Sequence, residues 1–423
     1  MISIDRSKLG PLRERSFRLL FFGRTTSFIG NAFANVALAF AVLDLTGSRA
    51  DLGFVLAARM LPQVLFLLVG GIWADRLPRH RVMVFSNVVS GLSQGTIAVL
   101  LLTGEAEIWH VAVLAAVNGL STAFFFPAAT GIVPQTVSRG MLQQANAILR
   151  LGQNASWIGG AALGGLVVAA TSPGIGIAVD AASFLIAALL LAMIRLPATL
   201  RMEGSNFLGE LKEGWREFSS RTWLWVIVIQ FGFVNAVLLG VEGVLGPAVA
   251  KEHLGGAAAW GLILTAQSLG LVAGGLLLLR LRPRRLLFAG TIGFLLTIPF
   301  MLGLAGPLPV VALIALAAIA GIGNETFGIM WDTTMQQEIP QEKLSRVYSY
   351  DALGSFVLIP LGVAIVGPVS EVLGTRETIL GAAAISLTAT LAVLLVHDVR
   401  TIERKGAEPL VEGVDVAGPD AVV

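Results

Sequence analysis

Apolar residues run along this chain in blocks of about twenty, the length that carries an α-helix across the hydrocarbon core of a bilayer. Charged clusters and Gly/Pro punctuation separate the blocks. The pattern predicts helices at 17–43, 50–74, 82–103, 109–134, 143–170, 174–195, 223–250, 257–280, 286–305, 309–332, 346–369 and 375–397. The run from Leu286 to Thr326 is interrupted only by Glu325, too long for one crossing, and breaks at Gly306-Pro307-Leu308-Pro309. The expected fold is therefore all-α, a polytopic membrane protein of twelve spans.

Between the sixth and seventh blocks, 196–222 is a polar connection in which Leu208, Leu211, Trp215 and Phe218 recur at helical spacing. That is the pattern of an amphipathic helix lying on a membrane surface. It divides the chain into a segment 1–16, a six-helix bundle 17–195, the linker, and a second bundle 223–397. Residues 398–423 are polar with Gly and Pro, and are expected to be a disordered tail.

The two halves echo one another. Gly70-Gly71-Ile72-Trp73-Ala74-Asp75-Arg76 closes the second block, and Gly274-Gly275 through Arg280 closes the eighth. Ile132-Val133-Pro134 after the fourth block matches Glu338-Ile339-Pro340 after the tenth. An internal repeat in a membrane protein of this size points to a transporter. Its site is expected near the midplane between the halves, with alternating access by rocking of one half on the other.

Composition removes the alternatives. Only 13% of residues are charged and 55% are apolar, which leaves too little polar surface for a soluble domain. No cysteine is present, so a disulfide framework, a thiolate metal site and a Cys nucleophile are all excluded. His80, His110, His253 and His397 fall in or beside loops, which argues against a buried histidine relay or a Ser-His-Asp set. There is no Gly-Lys dipeptide and hence no Walker A loop, and no H-E-x-x-H zinc motif. No metal or other cofactor is expected, and the proton motive force would supply the energy. A membrane enzyme is a distant alternative, because no cluster of catalytic groups gathers at one interface. A channel would need pore-lining rings, which are not seen.

The net charge of +2 says less than where the charges sit. Of 29 Lys and Arg, only Arg49, Lys251 and Arg376 fall in loops of the side opposite both termini, and only Arg24, Arg59 and Arg150 fall within spans. The rest mark one side, as the positive-inside rule requires of cytoplasmic loops. Both termini are thus expected in the cytoplasm of a bacterial-type plasma membrane.

Charges inside a bilayer are costly and mark function by default. Those within the spans are Arg24, Arg59, Arg150, Asp180, Glu242 and Glu325, with Asp332 and Asp351 near the inner ends of spans ten and eleven. Burial in an apolar cavity penalises a charged carboxylate, so proton binding there is tied to conformation. Glu325 and Glu242 are the leading proton-coupling candidates. Asp180 is a third, though its span is expected to be peripheral and its role structural. Arg24, Arg59 and Arg150 are the expected charge partners, either trading contacts as the halves rock or pairing statically. Substrate would meet Asn31, Asn35, Asn118, Phe124, Phe125, Phe231, Asn235, Asn324 and Trp331. Aromatic and amide groups together suit bulky amphiphiles better than sugars. The Phe124–Phe126 run also reads as plain packing.

The residues Gly71-Ile72-Trp73-Ala74-Asp75-Arg76-Leu77-Pro78-Arg79-His80-Arg81 resemble the loop 2–3 signature of the major facilitator superfamily, with Pro78 where that family has Gly. Trp331-Asp332-Thr333, Gln337-Glu338-Ile339-Pro340 and Leu344 through Asp351 resemble one branch, the twelve-helix drug/proton antiporters related to bacterial enterobactin and macrolide exporters. Asn146, Asp180 through Phe184 and Leu245-Gly246-Pro247 fit the same branch. Its helix-five motif reads Gly160-Ala161-Ala162-Leu163-Gly164-Gly165 here, without the usual Pro.

The resemblance implies proton-coupled efflux of a drug, natural product or siderophore, with an uptake symporter of the same fold as the nearest rival. The expected partners are a small molecule, protons and lipid, with no nucleic acid, and the chain is expected to be a monomer. It also implies a conformational latch built from Gly71, Asp75, Arg76, Arg79, Arg81, Asp332, Arg346 and Asp351, in which Asp75 caps or pairs with the start of span eleven. The repeat copy has Leu279 in place of the acid, so the latch is expected to be one-sided. The glycines of spans five and eight are expected to form either a sliding seam or static packing.

Overall fold

A computed structural model describes residues 6–195, 207–281 and 283–404, with the side chains of 68–76 and of a few scattered positions outside the description. Calls on the tail after 404, and on Gly71, Asp75 and Arg76 as side chains, therefore lie outside the described residues.

The first half consists of α1 (Arg15–Thr46), α2 (Arg49–Arg76), α3 (Arg79–Thr103), α4 (Ile108–Gly131), α5 (Leu142–Ala170) and α6 (Pro173–Ala192). The linker carries α7 (Phe207–Ser219). The second half consists of α8 (Thr222–Leu254), α9 (Ala257–Arg280), α10 (Leu286–Ala305) and α11 (Val310–Glu338). It continues through α12 (Gln341–Phe356) and α13 (Ile359–Leu373), which together form one span, and ends with α14 (Thr375–Val393). Among the described residues the only strand-like pairing is a single bridge between Arg285 and Glu403.

Among the described residues, eleven spans, with α12 and α13 counted as one, are long and apolar enough to cross a membrane. The twelfth expected span, α5, has the length, at 29 residues, but falls short in apolarity. Its first half holds Gln143, Gln144, Asn146, Arg150, Gln153 and Asn154. Other boundaries shift by a few residues. The larger extensions are at α11, which runs to Glu338, at the α12–α13 span, which runs from Gln341 to Leu373, and at α8, which runs to Leu254.

Local chemistry sets the helix ends. Gly47 and Gly104 close α1 and α3 in the left-handed conformation, with φ of 69° and 78°. Ser172 caps α6, accepting from the Ile175 amide, with Pro173 at its first position. The far portion of α8 is wound as π-helix over Val241–Leu245 and again over Ala250–Leu254. Pro247 sits between the two stretches. Proline has no N–H and crowds the carbonyl four residues back, so the wider turn before it relieves both problems.

The face that carries the basic loops is called the basic face below, and the other the far face. In the far portion of the molecule the halves meet along two seams. One joins α2 to α13, where a side chain at Gly53 would strike the carbonyl of Val363 at 2.6 Å and one at Gly367 would strike that of Arg49. The other joins α5 to α9, where a side chain at Gly261 would strike the Ala161 carbonyl at 2.6 Å. Glycine is required at these positions for backbones to approach. Gly165 of the helix-five motif thus belongs to the seam, while Gly160 and Gly164 pack on α1 of their own half. The glycines Gly270 and Gly274 pack on α11, also within their own half.

Candidate transport cavity and its gates

Toward the basic face the halves part. A cavity of about 1100 Å³ opens there, walled by Met60, Gln63, Val64 and Leu67 of α2, by Thr130 and Leu239, and by α12 and α13 from Arg346 to Pro360. Its surface is mainly apolar, with Tyr348, Tyr350, Ser349 and Arg346 toward the basic face. Drug-sized ligands occupy cavities of this class, lined by apolar groups with a few polar ones.

Around it the embedded charges fall into small sets. Arg59 of α2 donates to Oδ1 of Asn31 at 3.1 Å. The same Asn31 donates to the carbonyl of Ser27, so its amide is fixed in orientation. Arg24, two turns below on α1, lies over the ring of Phe28 at 5.7 Å and donates to the carbonyl of Ala129. Arg150 of α5 is exposed and lies within electrostatic reach of Glu325 of α11, in the other half. Glu325 rests where Gly274 and Gly275 of α9 leave room for its stem.

Glu242 lies in the first π turn of α8 and accepts from the side-chain amide of Gln267 at 2.7 Å. π turns cluster at functional sites, because the extra residue re-aims a side chain. The neighbouring Gly243 meets Leu56 of the other half.

Asp180 is fully buried inside the first half and accepts from Gln94 of α3 at 2.7 Å. Arg59 is its electrostatic counter-charge. A small chamber of about 40 Å³ lies nearby, lined by Ser27, Asn31, Asn87, Ser90, Thr122 and Phe125 among others. Asn118 is buried beside the tight crossing of α2 and α4, where Gly119 meets the Arg59 carbonyl, and its amide has no partner among the described residues.

Other predicted contacts fall elsewhere. Phe231 and Trp331 are 8% exposed and sit in the aromatic core of the second half, Phe231 against Phe294 and Phe327, and Trp331 against Trp223 and Phe327. Trp331 donates to Asp351 at 3.0 Å, and Asp351 also accepts from Ser355. Tyr348 donates to Asp332 at 3.0 Å. Asp332 and Asp351 thereby tie α11 to α12 inside one half. Asn235 donates to the Ser355 carbonyl. Asn35 and Asn324 are exposed, and Phe124 and Phe125 are half-buried. Arg79 donates to the carbonyl of Gly131, joining the start of α3 to the end of α4, and Arg81 is exposed. Arg346 is half-buried on the cavity wall, packed against Gly214 of the linker helix.

That linker helix is docked. Trp215 and Phe218 stack on one another, and both rings meet Tyr350 at a tilt. Glu217 accepts from Lys343 at 3.0 Å and from Arg221 at 2.7 Å. These two cations, Arg221 first, hold the Glu217 carboxyl below the usual carboxylate range.

The far face is closed by polar contacts between the halves. Lys251 pairs with Asp44 at 2.5 Å and donates to the carbonyl of Leu43 at 2.7 Å. Arg49 pairs with Glu252. Glu371 accepts from the hydroxyl of Ser48 at 2.9 Å and from the amide of Ala50 at 3.0 Å. Each contact joins one half to the other. The signal was visible in retrospect, since Lys251 and Arg49 were two of the few basic residues on that side, each with an acid nearby in sequence.

The model of the transmembrane secretion effectors, a family of the major facilitator superfamily, matches residues 6–412. The chain is 29% identical over 394 residues to the multidrug efflux pump Tap of Mycolicibacterium fortuitum, covering 89% of this chain and 93% of that one. It is 22% identical over 400 residues to macrolide efflux protein A of Streptococcus pyogenes, covering 92% and 98%. Among solved structures, a bacterial homolog to the human lysosomal transporter Spinster, in an inward-facing and occupied conformation, superposes with a TM-score of 0.73 at 15% identity. That match covers 91% of this chain and 97% of the other, and it speaks to the fold.

Proposed function

Since the chain belongs to the transmembrane secretion effectors of the major facilitator superfamily, we propose that it exports a bulky amphiphilic small molecule by alternating access, driven by protons. The observation that carries this reading is the apolar cavity of about 1100 Å³, open toward the basic face while the far face is bolted. If the basic face is cytoplasmic, this is the state in which an exporter loads. The names of the relatives, a multidrug pump and a macrolide efflux protein, support the same direction and substrate class.

Loading needs little hydrogen bonding. A flat hydrophobic solute gains from leaving water or lipid for the walls of α2, α12 and α13, and Tyr and Ser hydroxyls orient its polar end. Rocking then exchanges the closed far face for a closed basic face. Glu242 and Glu325 are the proposed proton sites, and Arg150 is the counter-charge that Glu325 must leave or keep as its protonation changes. A proton entering from the far side would neutralise the acid and release substrate there, so the two fluxes oppose one another.

The test is transport in inverted vesicles. ATP-driven acidification of the lumen should drive uptake of an amphiphilic dye or macrolide, and a protonophore should abolish it. Dye accumulation that survives the protonophore would exclude proton coupling. Accumulation in intact cells that rises with expression would point to import instead.

A further inference from the structure

We propose that Glu371 is a far-face latch of the transport cycle, a carboxylate of the second half that caps the start of α2 in the first half and must let go before the far face opens.

The first four N–H groups of a helix have no partner within it. At the start of α2 two caps share this task. The Asp51 amide donates to the Ser48 hydroxyl at 3.1 Å, a cap from the same chain segment. The Ser48 hydroxyl in turn donates to Oε1 of Glu371, and the Ala50 amide donates to that same oxygen. One carboxylate oxygen of the second half thus completes the capping of a helix in the first.

The approach is built into the sequence. Gly367 lies one turn before Glu371 on α13, and it is the glycine that lets α13 touch the Arg49 carbonyl. Residues four apart share a helix face, so the close contact at Gly367 delivers Glu371 to the helix start.

Electrostatics explains why an acid there acts on the other half. Glu371 stands in the last turn of α13, which ends at Leu373. A negative charge at a helix C-terminus opposes that helix's own dipole, whereas at a helix N-terminus it is favoured. Glu371 is exposed, so it fills no core. Its position is unfavourable for its own helix and favourable only while α2 is in reach.

Asp75 occupies the corresponding place in sequence, in the last turn of α2. The antiparallel pair formed by α2 and the α12–α13 span therefore carries an acid in the last turn of each C-terminal end, and at the far face that acid, Glu371, meets the start of the other helix. In position, the counterpart of Asp75 within this pair is Glu371 at the opposite face, whereas the repeat-related position holds Leu279. This reading holds whatever the substrate, the coupling ion or the direction of transport.

The chain has no cysteine, so spin labels can be placed without background removal. Labels at Glu105 and Leu308, exposed in far-face loops of the two halves, report the far-face separation by pulsed dipolar spectroscopy in liposomes. Glu371→Ala should raise the ratio of far-open to far-closed molecules by roughly threefold to thirtyfold, the range of a lost helix cap. Glu371→Gln keeps an acceptor without charge and should shift it less, and Ser48→Ala should shift it in the same direction. An unchanged distribution in Glu371→Ala overturns the proposal, as does an equal shift from Glu377→Ala, an exposed acid of α14. Should Glu371→Ala not fold, Ser48→Ala decides the matter on the same readout.

Discussion

Gln267 of α9 donates a 2.7 Å hydrogen bond to Oε1 of Glu242, the acid of the first π turn in α8. An ionised carboxylate at that depth is costly, and the amide offsets part of the cost. Charge at this position is therefore sensitive to how α8 and α9 are packed. Glu242→Gln should lower proton-driven export in vesicles by on the order of tenfold or more, equivalent to 1.4 kcal/mol. Dye binding to the purified protein should change far less. Glu325→Gln should do the same. Wild-type coupling in both variants would remove these acids from the mechanism.

Lys251 and Asp44 form an exposed pair, and such pairs contribute roughly 0–1 kcal/mol. Lys251→Glu should favour the far-open state modestly, up to about fivefold, and adding Asp44→Lys should restore part of the loss. The effect should fade at high salt, since exposed charges are screened within about 10 Å at 0.1 M. Far-face spin-label distances at two ionic strengths check it.

Gly53 and Gly367 face carbonyls of the other half at contact distance. Gly367→Val should keep the far face from closing and lower export at least tenfold, on the logic that small residues permit close helix contact. Gly47→Ala makes a useful comparison. Gly47 meets nothing within 4 Å, but its φ of 69° costs a side chain strain instead of collision. It should affect stability more than gating.

Glu217 binds Lys343 and Arg221 when the linker helix is docked. Docking lowers the pKa of Glu217, so the charged acid favours the docked state. That contribution is fully present above the ordinary carboxylate range and is lost as pH falls through the lowered value. Hydrogen exchange in 207–219 should accelerate as pH is brought below about 4, after correction for the intrinsic rate. Glu217→Gln should exchange faster at neutral pH and lose the pH step.

Trp331 and Phe231 behave in this structure as core residues. Phe231→Ala should destabilise the second half by about 3 kcal/mol or more, as large truncations in packed cores do. Trp331→Phe removes the donor to Asp351 and should lower thermal stability while leaving substrate range unchanged. A narrowed or altered drug profile with unchanged stability would instead place Trp331 on the substrate path.

Much of the fold was legible because lipid imposes a simple rule. A crossing needs about twenty apolar residues, and basic side chains mark one side. The rule fails for α5 because its first half is polar, and there Arg150 is exposed within electrostatic reach of Glu325. The embedded acids and arginines were equally legible, since charge in an apolar run stands out.

Pairing was harder to see. Nothing near Asp180 in sequence points to Gln94, and nothing near Glu371 points to Ser48. Those partners are 86 and 323 residues apart. Aromatic residues misled in the opposite way. Phe231 and Trp331 have the chemistry of a drug site, but helical spacing cannot say whether a ring faces a cavity or its own bundle.

The two π turns of α8 have a consequence for chain length. Each accommodates one residue more than a straight α-helix would between the same points. Removing one residue from Val241–Leu245 would therefore restore ordinary winding there without moving what lies beyond it. Lys251 and Glu252 would keep facing Asp44 and Arg49. What such a deletion would change is the local aim of Glu242, so the π turn can be removed on its own while the far-face contacts stay in place.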